Sequence, residues 1–146
     1  MGYISLKSSA FELPIKPELN EKDLLEKIKK AKDLELIISL ETKLEIVRNW
    51  NKWKKLSITR LDLGNDIHVL SFPSEMVVEY QLYAQELIPE KFLACAAYAN
   101  GSYDYIPTAK MYEEGGYESS GDASITTADA EETIKRVIDK ILEDIR

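Results

Sequence analysis

The chain has 146 residues, 45% hydrophobic and 31% charged, which suits one compact domain with a buried core and is too apolar for a disordered tail. Nineteen basic against 26 acidic side chains give a net charge of −7, which argues against a surface built to grip phosphate backbones. The single cysteine, Cys95, and the single histidine, His68, exclude an intrachain disulfide, a thiolate zinc site, and a zinc site of two or three histidines within one copy.

Residues 1–19 carry a short apolar–polar alternation (Tyr3, Ile4, Leu6, then Phe11, Leu13, Ile15) interrupted by Pro14 and Pro17. Proline cannot donate to a sheet ladder, so this predicts one edge strand or an extended lead-in. Asn20 is placed to cap a helix with apolar positions Leu24, Leu25, Ile28 and Ala31. A second helical stretch puts Leu36, Ile37, Leu40, Leu44, Val47 and Trp50 on one face, with Glu41, Glu45, Lys52, Lys54 and Lys55 mostly solvated. The two helices meet near Lys32-Asp33 with no strong breaker between them.

The period then changes. Ile58, Arg60 and Asp62 alternate with Thr59, Leu61 and Leu63 as a strand, Gly64-Asn65-Asp66 supplies a turn, and residues 67–72 form a second strand, completing a hairpin. Pro73 ends that strand, and Pro73-Ser74-Glu75 opens a helix carrying Val77, Val78, Leu82, Tyr83 and Leu87, closed by Pro89. The continuous apolar run from Lys91 to Ala99 predicts a buried strand. Strand, helix and strand make a βαβ unit, expected to cross over right-handed with a parallel pair, so the sheet is mixed.

Asn100-Gly101-Ser102 breaks the second strand of that unit. Residues 103–127, rich in Gly, Ser, Tyr and Glu, read as a long loop. Ile134, Val137, Ile138, Ile141, Leu142 and Ile145 mark an amphipathic C-terminal helix, capped by Thr126 with Asp129 or by Thr127 alone. The expectation is a single domain over residues 1–146, α/β in class with α+β as the alternative. No apolar run approaches the roughly 18–20 residues that cross a bilayer. The first residues, Met1 to Lys7, lack the features of a signal peptide.

In a βαβ unit, side chains just past the carboxyl ends of the strands converge on one edge of the sheet, where such folds usually bind ligands. Two loops leave that edge here, Phe72-Pro73-Ser74-Glu75 and residues 100–108. A carboxylate on one and phenols on the other can then reach one cation. The plainer reading puts Glu75 in a first helical turn, where it complements the helix dipole, and makes the tyrosines packing residues with wetted hydroxyls. His68 reads as a strand residue, Cys95 as an inert buried thiol, and Gly101 and the prolines as turn formers.

At these loops the sequence resembles the neutral/alkaline non-lysosomal ceramidase family, from about Trp53 to the end and most strongly from Phe72 to Glu118. The resemblance rests on Phe72-Pro73-Ser74-Glu75, then Val77-Val78-Glu79-Tyr80-Gln81-Leu82-Tyr83-Ala84, Ala99-Asn100-Gly101, Tyr105-Ile106-Pro107-Thr108, and Tyr112-Glu113-Glu114-Gly115-Gly116-Tyr117-Glu118, in the family's order. It implies a zinc-dependent amidase acting on N-acyl amides or lipids such as ceramide. Its zinc would be held by a glutamate falling on Glu75, a tyrosine falling on Tyr105, and two histidines from an earlier portion that has no counterpart here.

Ser74 stands where the family usually has glycine, and His68 matches neither family histidine. The resemblance therefore implies the C-terminal part of such an enzyme, inactive alone and binding zinc weakly or not at all. Its partner would be a histidine-bearing N-terminal half, or a second copy through self-association. The alternative is a non-catalytic binding or assembly module that retains the fold, with apolar sheet surface left exposed. A small independent enzyme using His68 and a serine is the weakest reading, because no Gly-x-Ser-x-Gly motif is present.

Overall fold

The computed structural model describes residues 3–99, 101 and 104–146. The first strand, β1 (Ile4–Phe11), lies at the edge of a four-stranded sheet, as the prolines after it suggest. Asn20 caps α1 (Glu21–Lys30), its Oδ1 accepting from the Asp23 amide at 3.0 Å. The break before α2 (Leu34–Trp53) is a second cap of the same kind, Asp33 Oδ1 accepting from the Leu36 amide at 2.9 Å.

The α2 face divides. Leu40 and Leu44 pack on Leu24 in a small cluster of their own, Ile46 and Trp50 join the main core, and Leu36 stays exposed.

The hairpin forms as expected. β2 (Leu56–Leu63) pairs antiparallel with β3 (Ile67–Ser71), and Gly64 turns between them at φ 79°, a conformation glycine adopts at little cost. β1 pairs antiparallel with β2 along all of its length, Ile4 opposite Leu63 and Phe11 opposite Leu56. The helix α3 (Val78–Leu87) then leads to β5 (Phe92–Ala96), which lies parallel to β3. The sheet order is β1-β2-β3-β5, so the molecule is a mixed α/β fold.

Four expectations are corrected. Residues 73–75 do not open a helix: Glu75–Met76 is a short strand, β4, and α3 begins only at Val78. Glu75 therefore does not complement a helix dipole. The strand over residues 91–99 is not fully buried, because β5 is the outer strand and Phe92 is 64% exposed.

The long loop is built from elements too short to show a period: β6 (Tyr105–Ile106), paired parallel with β4, and α4 (Ala109–Glu114), capped by Thr108. Finally, no side chain caps α5 (Ala130–Leu142). Thr126 is buried and bonded to Ser124 instead, and the Thr127 hydroxyl is left without a partner. The chain closes in a 3-10 turn, Glu143–Ile145. Asn100, Ser102 and Tyr103, which carry part of the strand-breaking turn, lie outside the described residues.

The core lies on one face of the sheet. Leu56, Ile58, Leu70 and Leu93 from the strands meet Tyr80 and Ala84 of α3 and Ile134, Ile138 and Leu142 of α5. The opposite face is open. Ile4 stands opposite Leu63 and Ile67 opposite Phe92, and all four are exposed, Ile4 by 77%. Among the described residues no helix is long and apolar enough to cross a membrane.

Candidate functional site

β3 and β5 run parallel, so their carboxyl ends leave the sheet together and the pairing continues beyond them. The Phe72 amide donates to the Ala96 carbonyl at 2.7 Å, and the Ala99 amide donates to the Phe72 carbonyl at 2.9 Å. Ser74, fully buried, donates its amide to Gly101 at 2.8 Å and accepts from the Tyr98 amide at 2.9 Å. One step further, the Glu75 amide donates to the Asp104 carbonyl at 3.2 Å. The two loops expected to adjoin do so.

β4 and β6 then pair in register, Glu75 opposite Tyr105 and Met76 opposite Ile106. Successive side chains of a strand alternate in direction, so each rung sends both of its side chains to the same side. Met76 and Ile106 are buried in the core, which turns Glu75 and Tyr105 outward together. The Tyr80 hydroxyl fixes the segment after β6 by donating to the Pro107 carbonyl at 3.0 Å, and Glu131 of α5 holds the start of α4 through the Ala109 amide at 2.6 Å.

The Glu75 carboxylate accepts hydrogen bonds from two phenols, Tyr105 and Tyr98. That bond, then partial burial and the Glu75 charge, push the Tyr105 phenol up to about 12. The Tyr98 phenol is raised for the same first reason. Asp104, beside them, is held above the usual carboxylate range chiefly by burial, with Glu75 adding to it and Lys43 opposing it. Tyr117 meets the Tyr105 ring edge-on, with centroids 6.0 Å apart.

Ser74, Tyr98 and Asp104 all have left-handed backbones, φ 61°, 60° and 59°, and they are the only described non-glycine residues that do. All three flank the Glu75–Tyr105 rung. Such conformations are costly for side chains with a Cβ, and they gather at functional sites.

His68 takes no part. It is fully buried near the far end of β3, its Nδ1 2.7 Å from Asp62 and its Nε2 3.2 Å from the Asn65 carbonyl. Cys95 has its thiol pushed up to about 11 by burial, which keeps it protonated and inert. Tyr98 was missed by sequence reasoning, because an apolar run hides the point where the strand turns; the small residues around it and the Asn-Gly after it are the available signal.

Lys16 and Lys43 were missed as well. Lys16 Nζ donates to the Ser124 carbonyl at 2.7 Å, and Lys43 Nζ donates to the Gly121 carbonyl at 2.7 Å. Together they hold the segment whose Ala123 carbonyl accepts from the Tyr105 amide at 2.9 Å.

Zinc takes four ligands, as a rule with nitrogen or sulfur among them. The Glu75–Tyr105 rung offers two oxygen donors, a carboxylate and a phenol. Among the described residues, no group of three His, Cys, Asp or Glu side chains is placed to hold a metal ion.

No family model matches the sequence, and no curated protein matches it at a significant level. Solved structures do. The fold is similar to that of a neutral ceramidase from Pseudomonas aeruginosa over 92% of this chain, with a TM-score of 0.53 and 17% identity. A second structure, a ceramidase complexed with C2, is similar over 58% of this chain and 14% of its own, with a TM-score of 0.48 and 18% identity. The chain spans 27% of the length of the Pseudomonas structure, so the similarity is to one part of a larger ceramidase fold.

Proposed function

We propose that this chain is the C-terminal part of a zinc-dependent, ceramidase-like amidohydrolase that cleaves N-acyl amides. In this reading it supplies Glu75 and Tyr105 as metal ligands, and a histidine-bearing portion outside it supplies the rest. The observation that carries the proposal is the in-register rung that turns one carboxylate and one phenol to the same side, in a fold similar to part of a ceramidase. Zinc bound there would polarise the amide carbonyl and lower the pKa of a bound water. Glu75 would bring the negative charge that draws the cation, and Tyr105 a phenol oxygen beside it. The left-handed backbones on either side fix both groups before any ligand arrives.

Calorimetric titration with Zn2+ tests this, first with the chain alone and then with a candidate N-terminal half carrying two histidines. Binding and amide hydrolysis are expected only in the pair, and both should be lost in Glu75→Gln. Turnover by the chain alone, or undiminished binding by the Gln variant, overturns the assignment.

The open sheet face favours a second reading, an assembly module without catalysis. Exposed apolar side chains gathered on one sheet face, Ile4, Leu6, Leu63, Ile67 and Phe92, are the kind of surface that associates. Sedimentation that shows a stable dimer, together with no zinc binding in any mixture, would select that reading.

A further inference from the structure

Glu75 has two phenol donors, and the family resemblance accounts for one. Tyr105 comes from the facing strand; Tyr98 comes from the end of β5, two residues past Ala96. Its backbone is left-handed at φ 60°, an outlier for so bulky a side chain. Its amide is tied at 2.9 Å to the carbonyl of Ser74, the residue immediately before Glu75. Packing does not explain the arrangement, since Tyr98 is 65% exposed. Strain of this kind persists where the surroundings over-determine it.

We infer that Tyr98 is a positioning residue for Glu75, holding the carboxylate in the orientation from which it meets a cation beside Tyr105. A carboxylate offers about four lone-pair sites, so one phenol can hold it while others remain for a ligand. With a cation beside Tyr105, the contact from Tyr98, made from the neighbouring segment, would remain to hold the carboxylate. The inference rests on reading Glu75 as a metal ligand. Ligating carboxylates are themselves hydrogen-bonded, and losing such a partner typically weakens metal binding about 10–100-fold.

The test follows the Glu75 carboxyl carbon by NMR in chain labelled with 13C-glutamate, the signal being assigned by its loss in Glu75→Gln. In metal-free protein, Tyr98→Phe and Tyr98→Gly should each move that signal while the fold is kept. The Gly variant also relieves the left-handed backbone and should raise Tm, so its effect is not one of unfolding. A signal unmoved in both variants overturns the proposal.

Zn2+ is then titrated in, with the histidine-bearing half present. A half-saturation concentration raised about tenfold or more in both variants supports positioning. Equal half-saturation in wild type and Tyr98→Phe overturns positioning and leaves Glu75 standing as a ligand. Zn2+ that never moves the Glu75 signal in the wild type removes the ligand reading, and the proposal with it.

Discussion

At the scale of single residues, the site is a carboxylate between two phenols on a backbone bent three times into the left-handed region. Ser74, immediately before Glu75, takes φ 61°, a conformation costly for a residue with a Cβ. The Tyr105 phenol is high chiefly because its proton is held in the hydrogen bond to Glu75, with burial and the Glu75 charge adding to it. Glu75→Gln removes the carboxylate acceptor and its charge, so the phenol should titrate from about 12 back toward its ordinary value, read as tyrosinate absorbance against pH. Tyr105→Phe should remove one late-titrating phenol and leave those of Tyr98 and buried Tyr80. A Tyr105 titration unchanged in Glu75→Gln would show that the carboxylate is not its cause.

At the scale of elements, two lysines do what a regular strand or helix would do elsewhere. Lys43, buried on α2, donates to the Gly121 carbonyl and pairs with Asp122 at 3.2 Å. Lys16 reaches the carbonyls of Ser119, Ser120 and Ser124, with its ammonium 5.4 Å from the centre of the Tyr112 ring. Both satisfy carbonyls of an irregular segment that is otherwise held by isolated bridges at Ser124 and Thr126. Lys43→Met keeps the apolar stem and strands a carbonyl, so it should cost about 1–3 kcal/mol in urea unfolding. By weakening the support of the Ala123 carbonyl, it should also speed hydrogen exchange at the Tyr105 amide. A variant as stable as wild type would mean that water replaces the ammonium freely.

At the scale of the whole molecule, a buried charge network ties the C-terminal turn to the sheet. Arg60 and Asp62 are buried on β2; Asp62 accepts from Ser5 at 2.6 Å and from Arg60 Nη2 at 3.1 Å, and Arg60 Nη1 reaches Asp144 at 2.8 Å. Lys7 of the edge strand also pairs with Asp144. Burial pushes the Asp62 carboxyl up, but the bonds from Ser5, Arg60 and His68 outweigh it and hold the group below its usual range. Arg60 and then Lys7 hold Asp144 low.

Both carboxyls are thus depressed in the folded state. Their stabilisation is complete above the ordinary carboxylate pKa of about 4 and is lost as pH falls below it. Urea midpoints should fall steadily in acid, and Asp144→Asn should flatten that slope while lowering stability at neutral pH. A slope unchanged in Asp144→Asn would place the acid sensitivity elsewhere.

The sequence by itself determined whatever repeats or punctuates. The period of α5, the Asn20 cap and the hairpin about Gly64 each depend on neighbours a few residues away, and each was legible; the parallel strands on either side of α3 followed from the strand-helix-strand order. The adjacency of the loops that carry Glu75 and Tyr105 also followed from chain order, because parallel strands deliver their following loops to one edge; Tyr105 itself was singled out by the family resemblance. The tertiary structure alone decided that residues 75–76 pair as a strand instead of winding into the helix. It decided as well that Tyr98 bends back to the carboxylate, and that His68 is spent on Asp62 inside the core. Those outcomes rest on partners between six and about thirty residues away, and on single backbone angles that no pattern of apolar residues encodes. A two-residue strand has too few positions to show a period, so only the strand it pairs with defines it.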